Sequence, residues 1–480
     1  MNASNSVLKS ITPELPGNKI FKRSFLLILG KVTRLIVQVF IIIWYSRKLS
    51  FTDYGTYQSI WLYVNIVSIF SMFGLPSLIL STSSKNIIIW VRQNKALFFF
   101  WSSLLNLIPF IYILFKVDEY PFATRILVIM LIIVQNISII TETVAIKKEK
   151  EKLILVTNII FSAGYFIWHL MVLYRGYSLP LLLLGLVFMF IIKSLLMLYY
   201  GNKNTVLPTP ANTVQMGRQW LYLGVNDVLG VLATWLDKWV ILVFLSVSQF
   251  AVYFNGAYEI PIFGLMVSAV GNIMLVEFSK KEGNDTKKIK SLFEDSSLLL
   301  AAVVFPSFCF LFFYHVEFFT LIFGAKYLAS IPVFVISIFI LPVRIIYSTT
   351  VLQVYHRSDL IVKGALLDLL TAIVLMFILY PILQMRGLVL AFVLSTYVQV
   401  GYYLWHTGKL INKKVSYFFP FKRLAAIMLL SVVFTGFGYY LFSNFRNPVS
   451  MILGIVLCII LIASFLQNYY KKRLNIISGG

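Results

Sequence analysis

The chain has 480 residues, 60% of them hydrophobic and 12% charged, with mean hydropathy +0.88 and a formal net charge of +23 at pH 7. That balance excludes a soluble globular protein of ordinary composition, and it turns the basic excess into a question of membrane sidedness rather than of nucleic acid. The 2 cysteines, Cys309 and Cys458, both lie in apolar segments, which suggests neither a disulfide framework nor a metal site.

Residues 1–23 are polar, and the first apolar segment is a full span with no small-residue cleavage site after it, so no cleavable signal peptide is expected. Apolar segments then follow at 24–46, 57–80, 96–115, 122–146, 153–174, 179–200, 219–245, 251–278, 292–314, 328–353, 361–382, 388–408, 424–442 and 449–469. A bilayer leaves no water to satisfy backbone polar groups, so each segment must be a helix. The expected fold is all-α, a polytopic bundle of about 14 transmembrane helices. Lys and Arg concentrate in the termini and the even-to-odd loops, above all in KKEKEK (147–152), KKEGNDTKKIK (280–290), KLINKK (409–414) and KKR (471–473). The positive-inside rule then places both termini in the cytoplasm.

The first span, SFLLILGKVTRLIVQVFIIIWY (24–45), carries Lys31 and Arg34 about 10 to 15 Å inside its apolar length. At about 100° per residue Lys31, Arg34 and Gln38 share one stripe with Tyr45. Lys31 is near enough to the helix end to snorkel; Arg34, a turn deeper, points to a water-filled lining. Further charges lie within later spans: Lys193 in the inner part of span 6, where snorkelling is expected, Asp227, Asp237 and Lys238 in span 7, Glu259 in span 8, Arg344 in span 10 and Asp368 in span 11. Arg344 with Asp368, and Lys238 with Asp237 or Glu259, are candidate pairs. The N-terminal half offers no acid as deep as its cations. MFGLP (72–76), EIP (259–261) and ILP (340–342) put Gly or Pro inside helices, where bends are expected.

An internal repeat orders these elements. LSFTDYGTY (49–57) aligns with LSVSQFAVY (245–253), and NLIPF (106–110) with VVFPS (303–307) at nearly the same offset, which brings Pro109 onto Pro306. The chain therefore divides into a cytoplasmic N-terminal segment (1–23), an N-lobe of six spans (24–200), a proline-bearing interlobe linker (201–218) and a C-lobe of six spans (219–408). A basic loop (409–423), two extra spans (424–469) and a tail (470–480) follow. Six spans return the chain to its starting side, so the two lobes run in parallel. No phosphate-loop motif occurs, and His169, His315, His356 and His406 are too dispersed for a zinc motif. His169 and His406, near span ends, are expected at the membrane interface. Outer loops are short, which disfavours a membrane enzyme such as a polymerase or acyltransferase.

The paired six-helix lobes, Y-G-x-Y at Tyr54 to Tyr57, LDK at Leu236 to Lys238 before LSVSQFAVY, and FGAKY at 323–327 resemble a known family. They look like the polysaccharide-specific flippases (Wzx-type, the O-antigen and capsule exporters) of the multidrug/oligosaccharidyl-lipid/polysaccharide superfamily, over roughly residues 20–410. The last two spans are similar to those of fourteen-helix lipid II flippases. The resemblance implies a MATE-like pair of lobes in the bacterial inner membrane that moves an undecaprenyl-diphosphate-linked oligosaccharide outward by alternating access, without enzymatic activity or cofactor. Lys31, Arg34, Gln38, Lys193 and Arg344 are then candidates to hold the headgroup, and Asp227, Glu259, Asp237 and Asp368 candidates for coupling to H+ or Na+. Membrane lipids and other polysaccharide-assembly proteins are the expected partners, nucleic acid is not, and a multidrug/cation antiporter with a carboxylate-lined cavity is the competing reading.

Overall fold

A computed structural model describes residues 16–81, 84–116, 120–201, 214–279, 286–346, 349–355, 357–443, 445 and 447–478. Most of the expected N-terminal segment and of the interlobe linker lies outside the described residues. Every regular element described is helical, as a chain that must bond its own backbone in a bilayer requires. In order these are α1 (Pro16–Lys48), α2 (Phe51–Met72), α3 (Leu75–Ser81), α4 (Ser84–Gln93), α5 (Lys95–Lys116), α6 (Phe122–Lys147), α7 (Glu151–Tyr174), α8 (Leu179–Gly201) and α9 (Val214–Phe244). There follow α10 (Val247–Gly256), α11 (Pro261–Ser279), α12 (Thr286–Phe313), α13 (His315–Phe323), α14 (Ile331–Ser337), α15 (Leu341–Arg344) and α16 (Thr349–Val354). The last are α17 (Ser358–Leu383), α18 (Met385–Leu410), α19 (Val415–Phe418), α20 (Phe421–Phe442) and α21 (Asn447–Ser478).

Among the described residues 11 helices are long and apolar enough to cross a membrane, or 12 if α10 and the start of α11, bent by 50° at the EIP break, form one span. The sequence reading of fourteen also counts α2 and α9. Both have the length, but α2 carries Asp53, Gln58 and several hydroxyls, and α9 carries Arg218, Asp227, Asp237 and Lys238. The MFGLP break is real: Phe73 and Gly74 adopt positive φ, 33° and 74°, between α2 and α3. A Cβ on Gly74 would collide with the backbone of Leu223 and Gly224, so two helices meet here at a point where neither can carry a side chain. Span 10 is a series of short pieces from Ala325 to Arg344, with two 3-10 turns, rather than one continuous helix.

By packing, the chain forms two units: residues up to Tyr45 with Ile60–Val231, and Ser46–Ser59 with Leu232–Gly480. The break falls inside α2 and inside α9, so each of these helices serves both units. In the first unit α6, α7 and α8 pack side by side, and an aromatic cluster of Trp90, Trp220, Phe73 and Phe98 holds the start of α9. In the second, α17 pairs along its length with α18, and α12 packs on α20 and α21. Cys309 and Cys458 are both buried there, as packing residues.

The repeat has a direct structural meaning. Ser50 caps α2, accepting from the Asp53 N–H at 3.0 Å, and Ser246 caps α10, accepting from the Gln249 N–H at 3.3 Å while the Gln249 side chain reaches back to the Ser246 N–H. Both cap and N3 residue recur at the repeat offset. The two copies also touch: Thr52 Oγ1 lies 3.2 Å from Ser248 Oγ, a separation of 196 residues, which is the offset itself. A residue that meets its own counterpart is what a two-fold relation between the motifs produces.

Candidate functional site

In the first unit the deep cations of the sequence become part of a cluster. At Gly30 α1 lies beside α7, where a Cβ would come into ordinary contact, 3.4 Å, with the Asn158 side chain. One turn on, Arg34 faces the same way and is half-buried, its guanidinium 5.7 Å from the Phe161 ring centre and 6.0 Å from that of Phe190. Gln38 borders a crevice too narrow for a water molecule, together with Arg34, Phe161, Ser162 and Tyr165, and further up the same stripe the Tyr45 hydroxyl donates to the His169 carbonyl at 3.0 Å. Lys31 is exposed and stands apart from this cluster.

Lys193 does not snorkel. Its side chain is 2% exposed, and Nζ donates to Glu142 Oε2 at 2.7 Å while lying 5.2 Å from the centre of Phe161. Sequence reading expects no acid at this depth; Glu142 supplies one, and Asn158 Nδ2 donates to its other oxygen at 3.4 Å. The signal was present but indirect: Glu142, Asn158 and Lys193 sit at comparable distances from the inner ends of three consecutive helices, which places them at one depth if those helices pack together. His169 corrects another expectation. It is fully buried, with Nδ1 2.7 Å from the Tyr165 carbonyl and its ring against Tyr45 and Tyr165, so it packs the core of this unit rather than the interface.

Asp227, half-buried in the first part of α9, accepts from the Ser77 hydroxyl at 2.9 Å. In the second unit Asp237 is 1% exposed, accepts from the Tyr253 hydroxyl at 2.9 Å and pairs with Lys238 at 3.4 Å. Arg344 pairs with Glu259 at 2.7 Å and not with Asp368, because the EIP break turns Glu259 toward the short helix that carries Arg344. That ion pair borders a cavity of about 310 Å3, which Thr234, Gln399, Tyr403 and Asp368 also line. Asp368 is buried, and its Oδ1 has no hydrogen-bond partner among the described residues. Of the four candidate coupling carboxylates, it alone combines burial, an unpartnered oxygen and a cavity. Among the described residues no group of three or more His, Cys, Asp and Glu stands close enough to hold a metal ion.

The FGAKY segment closes a third set of contacts. Gly324, at φ 84°, ends α13; Lys326 donates to the Ser46 carbonyl at 3.0 Å and to that of Leu49, at the end of α1, while Arg47 donates to the carbonyls of Ile322 (2.9 Å) and Leu321 at the end of α13. Each helix thus presents a cation to the other's carbonyl end.

A multi-pass helical bundle with charges gathered in the interior of each unit has the fold of the multidrug and lipid exporters. It superposes on the lipid II flippase MurJ in an inward closed conformation with a TM-score of 0.67 at 18% identity, over 94% of this chain and 99% of that one. A multidrug resistance MATE family transporter of the MOP superfamily follows in its inward-facing conformation, with a TM-score of 0.53 at 12% identity over 84% of this chain and 98% of that one. In sequence, residues 45–332 match the family described as "Polysaccharide biosynthesis protein", and the chain belongs to that family. No curated protein matches it. The fold is the one shared with these two solved structures.

Proposed function

We propose that this protein is a flippase that carries an undecaprenyl-diphosphate-linked oligosaccharide across the bacterial cytoplasmic membrane by alternating access, for surface polysaccharide assembly, with both termini cytoplasmic and without enzymatic chemistry. The observation that carries the reading is Arg34. Its guanidinium offers five donors in a planar fork, makes no hydrogen bond among the described residues and rests on two aromatic faces that hold it without consuming those donors. A diphosphate is the kind of group such a fork matches, and its charge is what would otherwise keep it out of a bilayer. Gln38, next along the same face, adds an amide suited to a sugar or phosphate oxygen. Membership of the polysaccharide biosynthesis family favours a glycan cargo over a drug. Glu142 is the observation that favours the antiporter reading, yet its pairing with Lys193 argues against a free carboxylate waiting for a cationic drug.

Coupling to a proton or sodium gradient is assigned on this reading to Asp368, a buried carboxylate beside a cavity with one oxygen unpartnered among the described residues, ahead of Asp227, Asp237 and Glu259, which are held by hydrogen bonds or an ion pair. Arg34→Ala is expected to reduce export of the lipid-linked glycan at least tenfold at normal protein abundance, and Arg34→Lys to retain part of it, since a point charge replaces a fork. Full export by the alanine variant removes Arg34 from the mechanism and, with it, the reading.

A further inference from the structure

Resting on that reading of Arg34, we propose that Glu142 is a built-in counter-ion that sets how tightly the site holds a phosphate-bearing headgroup, by occupying Lys193 and leaving Arg34 as the group that engages the ligand. Lys193 and Arg34 lie over the same ring, Phe161, at 5.2 and 5.7 Å from its centre. Between them they bring two positive charges, and Glu142 supplies one negative charge at 2.7 Å from Lys193. The side chain of Lys193 is 2% exposed and that of Glu142 19% exposed, so the carboxylate lies on the more open side of the pair. The cluster therefore carries one net positive charge, vested in the half-buried Arg34.

A transporter gains nothing from a site that never lets go. Two unscreened cations around one ring would trap a diphosphate, whereas a carboxylate in the same cluster repels the ligand and competes with it for the cations. A unit charge about 6 Å away, at the effective dielectric of protein sites, corresponds to an equilibrium factor of about one hundredfold, and partial exposure brings that nearer tenfold. Asn158 holds the carboxylate from the side away from Lys193 and keeps it within the cluster. Glu142 is thus a positioning and tuning residue, which bonds Lys193 rather than the cargo.

The experiment titrates the purified full-length protein in mixed micelles with undecaprenyl diphosphate, followed by intrinsic tryptophan fluorescence, and then measures dissociation on dilution. Glu142→Gln is expected to bind about tenfold more tightly and to release correspondingly more slowly, so that KM and kcat of transport fall together. Glu142→Asp is expected to stay close to the native protein on both counts. Unchanged or weaker binding by a folded Glu142→Gln protein overturns the proposal. If that variant fails to fold, Lys193→Met and the double variant Lys193→Met with Glu142→Gln decide instead: tighter binding by the double than by Lys193→Met is expected, and equal binding overturns the proposal. Arg34→Ala runs in parallel. Loss of binding there with no effect of Glu142 condemns the counter-ion alone, whereas native binding by Arg34→Ala condemns the underlying reading of the site.

Discussion

Two buried carboxylates in the second unit answer opposite physical demands. Asp237 has a hydroxyl and an ammonium to bond, so Asp237→Asn leaves Tyr253 and Lys238 short of an acceptor and is expected to cost about 2 to 4 kcal/mol, seen as a lower thermal midpoint in detergent. Asp368 has an oxygen with nothing to bond among the described residues, so Asp368→Asn is expected to be neutral or to stabilise by about 1 kcal/mol while abolishing the dependence of transport on an imposed proton or sodium gradient. Unchanged gradient dependence in that variant would exclude Asp368 as the coupling group. Sequence could name both residues as charges within spans, but it could not sort them. Partner choice depends on where the EIP break and the LDK helix aim their side chains, which is a property of packing. Glu142 makes the same point from the other side: nothing in its sequence neighbours singles it out, and its neighbours in space set it beside Lys193.

At the scale of elements, helix ends in this protein are secured by residues far away in sequence. Lys326 and Arg47 each close the carbonyl end of the helix that carries or adjoins the other, and Lys326 also lies over Phe51 and Tyr327 at 4.9 and 5.1 Å. Lys326→Ala is expected to cost about 1 to 2 kcal/mol through the loss of charge-assisted bonds to two carbonyls, and Lys326→Arg much less; thermal unfolding of the purified protein reads the difference. A midpoint unmoved by the alanine variant would show that water replaces the ammonium without penalty. FGAKY was legible as a motif. That its lysine reaches back some 280 residues to Ser46 was not, because no local rule joins a loop to the end of the first helix. The breaks at MFGLP and EIP were readable for the converse reason, since Gly and Pro act on their own backbone.

For the molecule as a whole, membrane class and helical architecture follow from hydropathy alone, whereas the count of spans does not, because α2 and α9 trade apolar residues for hydroxyls, aromatics and charges. The repeat carried more information than any single motif. It aligned Ser50 with Ser246 and Asp53 with Gln249, which prove to be paired helix caps, and it aligned Thr52 with Ser248, which are in contact. Thr52→Cys with Ser248→Cys is accordingly expected to form an intramolecular disulfide under mild oxidation, detected by mass spectrometry, since oxygens 3.2 Å apart place the two Cβ atoms within reach of the bond. Absence of the crosslink would contradict the contact. A hydroxyl both gives and accepts a hydrogen bond, so it is compatible with a copy of itself. One such group in each half is therefore enough for the two motifs to bond each other, whichever of the pair supplies the proton.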